Sequence, residues 1–173
     1  MRIGITCYPT YGGSGVVATE LGKCLAQKGH EIHFISYSLP FRLMENTSEF
    51  IFYHEVDVST YPLFKYPPYS LALASKMTEV IKQYKLDILH VHYALPHAAS
   101  AYYAKQILGA QSFKIVTTLH GTDITVVGKD PSFFPITKFS IEQSDGLTAV
   151  SQYLSRRTQE VFRIKKEIEI LFR

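Results

Sequence analysis

Glu31-Ile32-His33-Phe34-Ile35-Ser36 is a six-residue run whose interior is almost continuously apolar. A strand with one wet face alternates apolar and polar residues, whereas a run without that alternation suits a strand covered on both faces. The same reading extends outward to Arg2–Cys7, Phe50–Val56, Asp87–His92, Phe113–Leu119 and Gly146–Val150, with a short last candidate at Glu167–Phe172. Between these runs the apolar period changes. Val17, Leu21, Cys24 and Leu25 recur on one helix face, and Gly29 follows where a helix stop is expected. Leu73, Met77, Val80, Ile81 and Tyr84 repeat that spacing within Ser70–Lys85, and weaker helices are predicted over His97–Leu108, Ser132–Ser144 and Ser151–Arg163. Parallel neighbours need a crossover between them, and a helix supplies it. The alternation therefore predicts an α/β fold with a doubly wound, Rossmann-like parallel sheet. The irregular stretch Asp57–Tyr69, with Pro62, Pro67 and Pro68 among tyrosines, reads as an ordered surface loop of the kind that more often serves function.

Composition narrows the class. The sequence has 173 residues, 46% of them apolar and 19% charged, which suits one globular domain and excludes wholesale disorder. A net charge of +3 is too small to argue for nucleic acid. No run approaches the ~18 apolar residues of a membrane span, so stable membrane insertion is not expected. The first residues read as a strand with Gly4 inside it, without the apolar core and cleavage site of a secretory leader. Cys7 and Cys24 are too few for a disulfide framework and fall on apolar positions, so both are expected to be small buried hydrophobes in a reducing cytoplasm. Composition leaves open whether the protein forms a homo-oligomer.

In an open parallel sheet, ligands bind beyond the carboxyl ends of the strands. Those ends hold Tyr8 to Gly15, Tyr37 to Arg42, His92 to His97, and His120-Gly121-Thr122-Asp123. Gly12-Gly13-Ser14-Gly15 runs straight into a helix, which places free backbone N–H groups and a positive helix end toward the crevice, a setting for an anion. Gly13, Gly15 and Ala18 also satisfy the letters of a dinucleotide fingerprint, but Tyr8 to Tyr11 separate the loop from the strand end. The acidic residue expected ~20 positions on is replaced by Ser36, Tyr37 and Ser38. A smaller anion fits better than a dinucleotide, and a plain tight turn competes with both. His90 and His92 share a strand face, with His97 beyond the turn, yet no nearby Asp, Glu or Cys completes a metal ligand set, so no metal is expected. His120 ends a buried strand, Gly121 permits close backbone approach, and Asp123 is either functional or a cap on the following turn. Arg42 has the shape to grip a carboxylate at two points. The basic run around Arg156, Arg157, Arg163, Lys165 and Lys166 is interleaved with Glu160, Glu167 and Glu169 and reads as a solvated face.

Taken together, Gly4 to Pro9, Gly12 to Gly15, Pro40-Phe41-Arg42, Tyr66-Pro67-Pro68-Tyr69, His90 to His97 and Thr117 to Thr125 resemble the retaining GT-B glycosyltransferases of family 4. Within them the similarity is to the group acting in bacillithiol biosynthesis, and it covers nearly the whole sequence. The resemblance implies transfer of N-acetylglucosamine from UDP-N-acetylglucosamine, the donor substrate, to L-malate, with no separate cofactor. It implies two Rossmann-like domains, the N-terminal one holding the acceptor and the C-terminal one the nucleotide sugar. Residues 1–173 are then expected to be the N-terminal half of a GT-B enzyme, inactive alone, with the nucleotide-sugar domain and its paired-glutamate motif lying beyond Arg173. By the same resemblance Gly13, Ser14, Gly15, Arg42, Tyr93, Thr117 and Thr118 bind the acceptor, and His120 and Asp123 belong to the catalytic set. Two other readings stay open from the residues: a different sugar or polyol acceptor, or a Rossmann module that binds a nucleotide or partner without catalysis.

Overall fold

A computed structural model describes residues 1–44, 48–58 and 62–171. Each apolar run forms a strand: β1 (Arg2–Thr6), β2 (Glu31–Ser36), β3 (Ile51–Glu55), β4 (Ile88–His92), β5 (Lys114–Leu119), β6 (Gly146–Ala149) and β7 (Glu169–Ile170). All the pairings are parallel, in the order β3-β2-β1-β4-β5-β6-β7. The helices are α1 (Gly13–Gln27), α2 (Tyr69–Tyr84), α3 (Ala99–Leu108), the single turn α4 (Thr122–Thr125), α5 (Phe134–Gln143) and α6 (Gln152–Phe162). The doubly wound α/β expectation holds, with element ends displaced by a residue or two.

The core explains the lack of alternation. On one side Ile3, Ile5, Ile32 and Phe34 pack with Ala18 and Ala26 of α1. On the other, Ile35, Leu89, Val91 and Ile115 meet Leu73, Met77 and Val80 of α2 and Ala101 and Ala104 of α3. A third cluster joins Leu119, Leu147 and Ala149 to Ile124, Ile141, Leu154 and Phe162. Each large side chain buried this way contributes about 1.5–3 kcal/mol. Gly29 has φ +81°, as a helix stop requires, and Ser151 caps α6 by accepting the Leu154 N–H at 3.2 Å.

Two expectations change. Cys7 is buried as read, but Cys24 is exposed, because its place in α1 falls at the edge of the apolar face rather than in it. The helix expected from His97 begins at Ala99, after a separate irregular turn at Ala94–Ala98 in which Leu95 has extended backbone angles. In the loop Asp57–Tyr69, residues 59–61 lie outside the described residues, as does Phe172 of the last strand candidate Glu167–Phe172, in which Glu169 and Ile170 form the strand.

The strand order reverses at β1, which lies between β2 and β4. Such a reversal opens a crevice at the carboxyl ends, because the connections leave on opposite sides.

Candidate active site

The crevice has two connected parts. The first is a cavity of about 110 Å³ lined by Thr10, Tyr11, Gly15, Thr19, Phe41 and Arg42, together with Val16 and Pro40. α1 starts at Gly13 after the extended Gly12, and the first ladder bond runs from the Val16 N–H to the Gly12 carbonyl at 3.2 Å. The N–H groups of Gly13, Ser14 and Gly15 therefore precede the ladder and carry the positive end of a 15-residue helix. Gly15 is required by space: a Cβ there would lie 2.4 Å from the Thr10 carbonyl oxygen and 3.1 Å from that of Tyr8. Gly13 has nothing within 4 Å of such a position. Ser14 is buried beside this turn.

Arg42 sits in a 3-10 turn at Phe41–Leu43, and Phe41 packs on Tyr11 with ring centroids 4.4 Å apart. Its Nη1 donates to Glu20 Oε1 at 3.2 Å. Burial pushes the Glu20 carboxyl up, but hydrogen bonds and charge from Arg42 and Lys23 outweigh it and hold that group below the usual range. No sequence signal links Glu20 to Arg42, since they meet only after α1 and β2 fold back on each other.

The second part is a cluster of rings over the ends of β1, β4 and β5. Tyr8 meets Tyr93 edge to face at 5.4 Å and His97 at 4.6 Å, so it joins the glycine turn to the histidines. Tyr93, at φ +85°, also packs against His120 at 5.0 Å. His92 Nδ1 and His120 Nε2 are 2.8 Å apart. His90 stacks on His92 at 5.0 Å, and its Nε2 bonds to Thr118 Oγ1 at 2.7 Å. Buried His97 donates from Nδ1 to the His92 carbonyl. Burial lowers the pKa of His90, His97 and His120 to about 4 and that of His92 well below its ordinary value; neighbouring histidines add to the effect at His90, His92 and His120. All four are neutral at pH 7.

Asp123 is almost fully buried and belongs to the frame of the site. Oδ1 accepts from the N–H groups of His120 at 3.3 Å and Gly121 at 2.9 Å, and Oδ2 accepts from Ala94 N–H at 3.1 Å. Burial raises its pKa, and these backbone donors offset that rise only in part. One carboxylate thus ties the loop after β5 to the turn after β4.

Thr117 and Thr118 do not join the crevice. Both have no exposed surface. Successive strand residues point to opposite faces of a sheet, so two neighbours cannot both line one pocket with their side chains. Thr117 Oγ1 bonds to Ser144 Oγ at 2.7 Å, and Thr118 Oγ1 bonds to Thr148 Oγ1 at 2.7 Å and to His90. The structure places Gly15 and Arg42 on one cavity, with Gly13 and Ser14 beside Gly15 in the first turn of α1, and gathers Tyr93, His120 and Asp123 in the second part of the crevice. Among the described residues, no group of three or more His, Cys, Asp or Glu is placed to hold a metal ion, and no helix is long and apolar enough to cross a membrane.

Comparison with known proteins fits this arrangement. The chain is 59% identical over 172 residues to N-acetyl-alpha-D-glucosaminyl L-malate synthase of Bacillus anthracis, covering 99% of this chain and 45% of that protein. It is 26% identical over 153 residues to an uncharacterized glycosyltransferase of Methanocaldococcus jannaschii, covering 88% of this chain and 41% of that one. The chain thus spans less than half the length of the curated relatives it matches. Among solved structures, a glycosyltransferase from Rickettsia africae superposes with a TM-score of 0.74 at 26% identity, over 99% of this chain and 42% of that one. An Anabaena protein crystallised with UDP and glucose shares the fold at a TM-score of 0.72 and 11% identity, over 99% and 44% of the two chains. The model of the family described as Glycosyltransferase Family 4 matches residues 11–172, and this chain belongs to that family.

Proposed function

We propose that this chain is the acceptor-binding, N-terminal half of a retaining GT-B enzyme that transfers N-acetylglucosamine from UDP-N-acetylglucosamine to L-malate. The observation that carries the reading is the junction of a helix start and a guanidinium on one small cavity, at Gly15 and Arg42. A volume of about 110 Å³ is well below the ~300–1,000 Å³ of pockets for drug-sized ligands and suits a small dianion. One carboxylate of malate would take the N–H groups of Gly13, Ser14 and Gly15, with the Ser14 hydroxyl, and Arg42 would take the other. The name of the 59% identical Bacillus anthracis relative supports the choice of malate.

In this reading Tyr93 and His120 face the point of transfer, and Asp123 holds their loops in place. The malate hydroxyl oxygen forms the new bond to the anomeric carbon on the face that UDP leaves. The carbon–phosphate oxygen bond breaks, and the hydroxyl proton passes to the departing phosphate. Positioning and electrostatics then supply the catalysis. The nucleotide-sugar half belongs to the remainder of the full-length enzyme, which works in the cytoplasm without a metal or separate cofactor.

Arg42→Ala in the full-length enzyme tests the assignment. Loss of a charge-assisted contact should raise KM for malate ~10–100-fold and leave KM for UDP-N-acetylglucosamine within about twofold. Equal losses for both substrates would remove Arg42 from the acceptor site. Equal turnover with an uncharged acceptor would remove the dianion itself.

A further inference from the structure

We propose that His92 is a positioning residue that fixes His120 in a single tautomer, with Nε2 accepting from His92 and Nδ1–H offered to the site. This rests on the reading that His120 stands beside the point of transfer. The two residues are brought together by the sheet: His92 ends β4, and His120 follows the last residue of the neighbouring strand β5. Their rings lie 5.0 Å apart at 30°, with Nδ1 of His92 and Nε2 of His120 separated by 2.8 Å.

At that separation the two nitrogens must share one proton. Two lone pairs or two N–H groups would repel, so either His92 donates or His120 does. The other nitrogen of His92 decides between them. Nε2 is buried and has no hydrogen-bond partner. If His120 donates, neutral His92 carries its proton on Nε2, leaving an orphan N–H in the core. If His92 donates from Nδ1, Nε2 keeps only a bare lone pair. Orphaned buried N–H groups are rarer in proteins than under-satisfied acceptors, so the second arrangement is favoured.

The surroundings prevent escape from this choice by double protonation. His92 is packed between His90 and His120, and His97 fixes the His92 carbonyl through its own Nδ1–H. A cation among these buried rings would be poorly solvated and would sit against its neighbours' N–H groups. Neutral His120 then holds its proton on Nδ1, in a residue that is only partly buried, unlike His92. Its free nitrogen is therefore a donor. His120 would stabilise negative charge on a sugar or phosphate oxygen rather than remove a proton from the acceptor.

Long-range nitrogen–proton NMR, with ring nitrogens isotopically labelled in histidine alone, tests the tautomer in the unmodified enzyme. The His120 resonances, assigned through their loss in His120→Gln, should show a protonated Nδ1 and a bare Nε2. A protonated Nε2 on His120 would overturn the proposal. Two variants test the positioning role. His92→Phe removes the donor and should mix the His120 tautomers and lower kcat about tenfold or more, with both KM values within about twofold. His92→Asn supplies an amide donor near the same place and should restore the tautomer and most of the rate. A folded His92→Phe enzyme with unchanged tautomer or rate overturns the positioning role. Full activity in His120→Ala would instead strike the reading of His120 as a site residue, and the NMR result would still decide the tautomer.

Discussion

Arg42 Nη1 lies 3.2 Å from Glu20 Oε1, so the guanidinium lining the glycine-turn cavity is already engaged by a carboxylate of α1. Both side chains are about half exposed, at 50% and 45%. Such a pair contributes ~0–1 kcal/mol to stability, so its meaning lies in competition rather than in holding the fold. On the proposed function, an incoming acceptor carboxylate would have to displace Glu20 or share Arg42 with it. Glu20→Gln should leave the unfolding midpoint nearly unchanged and lower KM for the anionic acceptor by ~2–5-fold. Steady-state kinetics with varied acceptor check this, and an increase in KM would mean that Glu20 orients Arg42 instead.

The glycine turn makes a second prediction by contrast. Gly15→Ala places a methyl 2.4 Å from the Thr10 carbonyl oxygen, backbone that cannot move without shifting the start of α1. Overpacking of this kind costs ~1–3 kcal/mol, and the shift should also raise acceptor KM. Gly13→Ala meets nothing within 4 Å and should fold with stability close to that of the unmodified protein. Denaturant unfolding of the two variants side by side measures the difference. Equal stabilities would show that the close approach at Gly15 relaxes freely.

Asp123 provides a third. Three backbone N–H groups converge on its two oxygens. Asp123→Asn keeps the shape but turns one acceptor into an NH2 group that faces a buried donor. Leaving such a donor unsatisfied costs ~1–3 kcal/mol. Chemical unfolding should detect that loss, and hydrogen exchange should quicken at Ala94, His120 or Gly121, whichever N–H faces the new amide.

The pH dependence of stability follows from the buried imidazoles. His90, His97 and His120 have folded pKa values lowered to about 4 from an ordinary 6.5, all mainly by burial. Between those values the unfolded chain binds protons that the folded chain refuses. Stability is therefore full above about pH 7 and is lost as pH falls from 6.5 toward 4. Each histidine that stays neutral contributes a slope of about 1.4 kcal/mol per pH unit across that window. Unfolding midpoints measured from about pH 7.5 to about pH 4.5 should decline accordingly. A flat profile would mean that these rings are protonated in the folded state.

Much of this architecture is legible in the sequence because burial on both faces leaves a one-dimensional trace. Ile32 to Ile35 and Ile115 to Val116 read as strands without help from any neighbour, and the strand ends then locate the crevice. What stays hidden depends on direction or on distance along the chain. Adjacent Thr117 and Thr118 look like paired polar groups at a strand end, but the pleat sends their hydroxyls to opposite faces and the sheet consumes both. Cys24 sits one step outside the apolar stripe of α1 that its spacing suggests. The contacts between Glu20 and Arg42, and between His92 and His120, are 22 and 28 residues apart in sequence, and register between folded elements creates them.

The carboxylate of Asp123 also limits how this region can change in length. By joining the turn at Ala94 to the loop at His120, it makes two segments separated by 29 residues into one unit. An insertion or deletion in either segment would have to be matched in the other to keep all three N–H contacts. Diversification of the family through this unit should thus proceed by substitution, with length changes diverted to loops outside it. A loop graft that moves the His120 segment into another scaffold must carry the Tyr93–Ala98 turn as well.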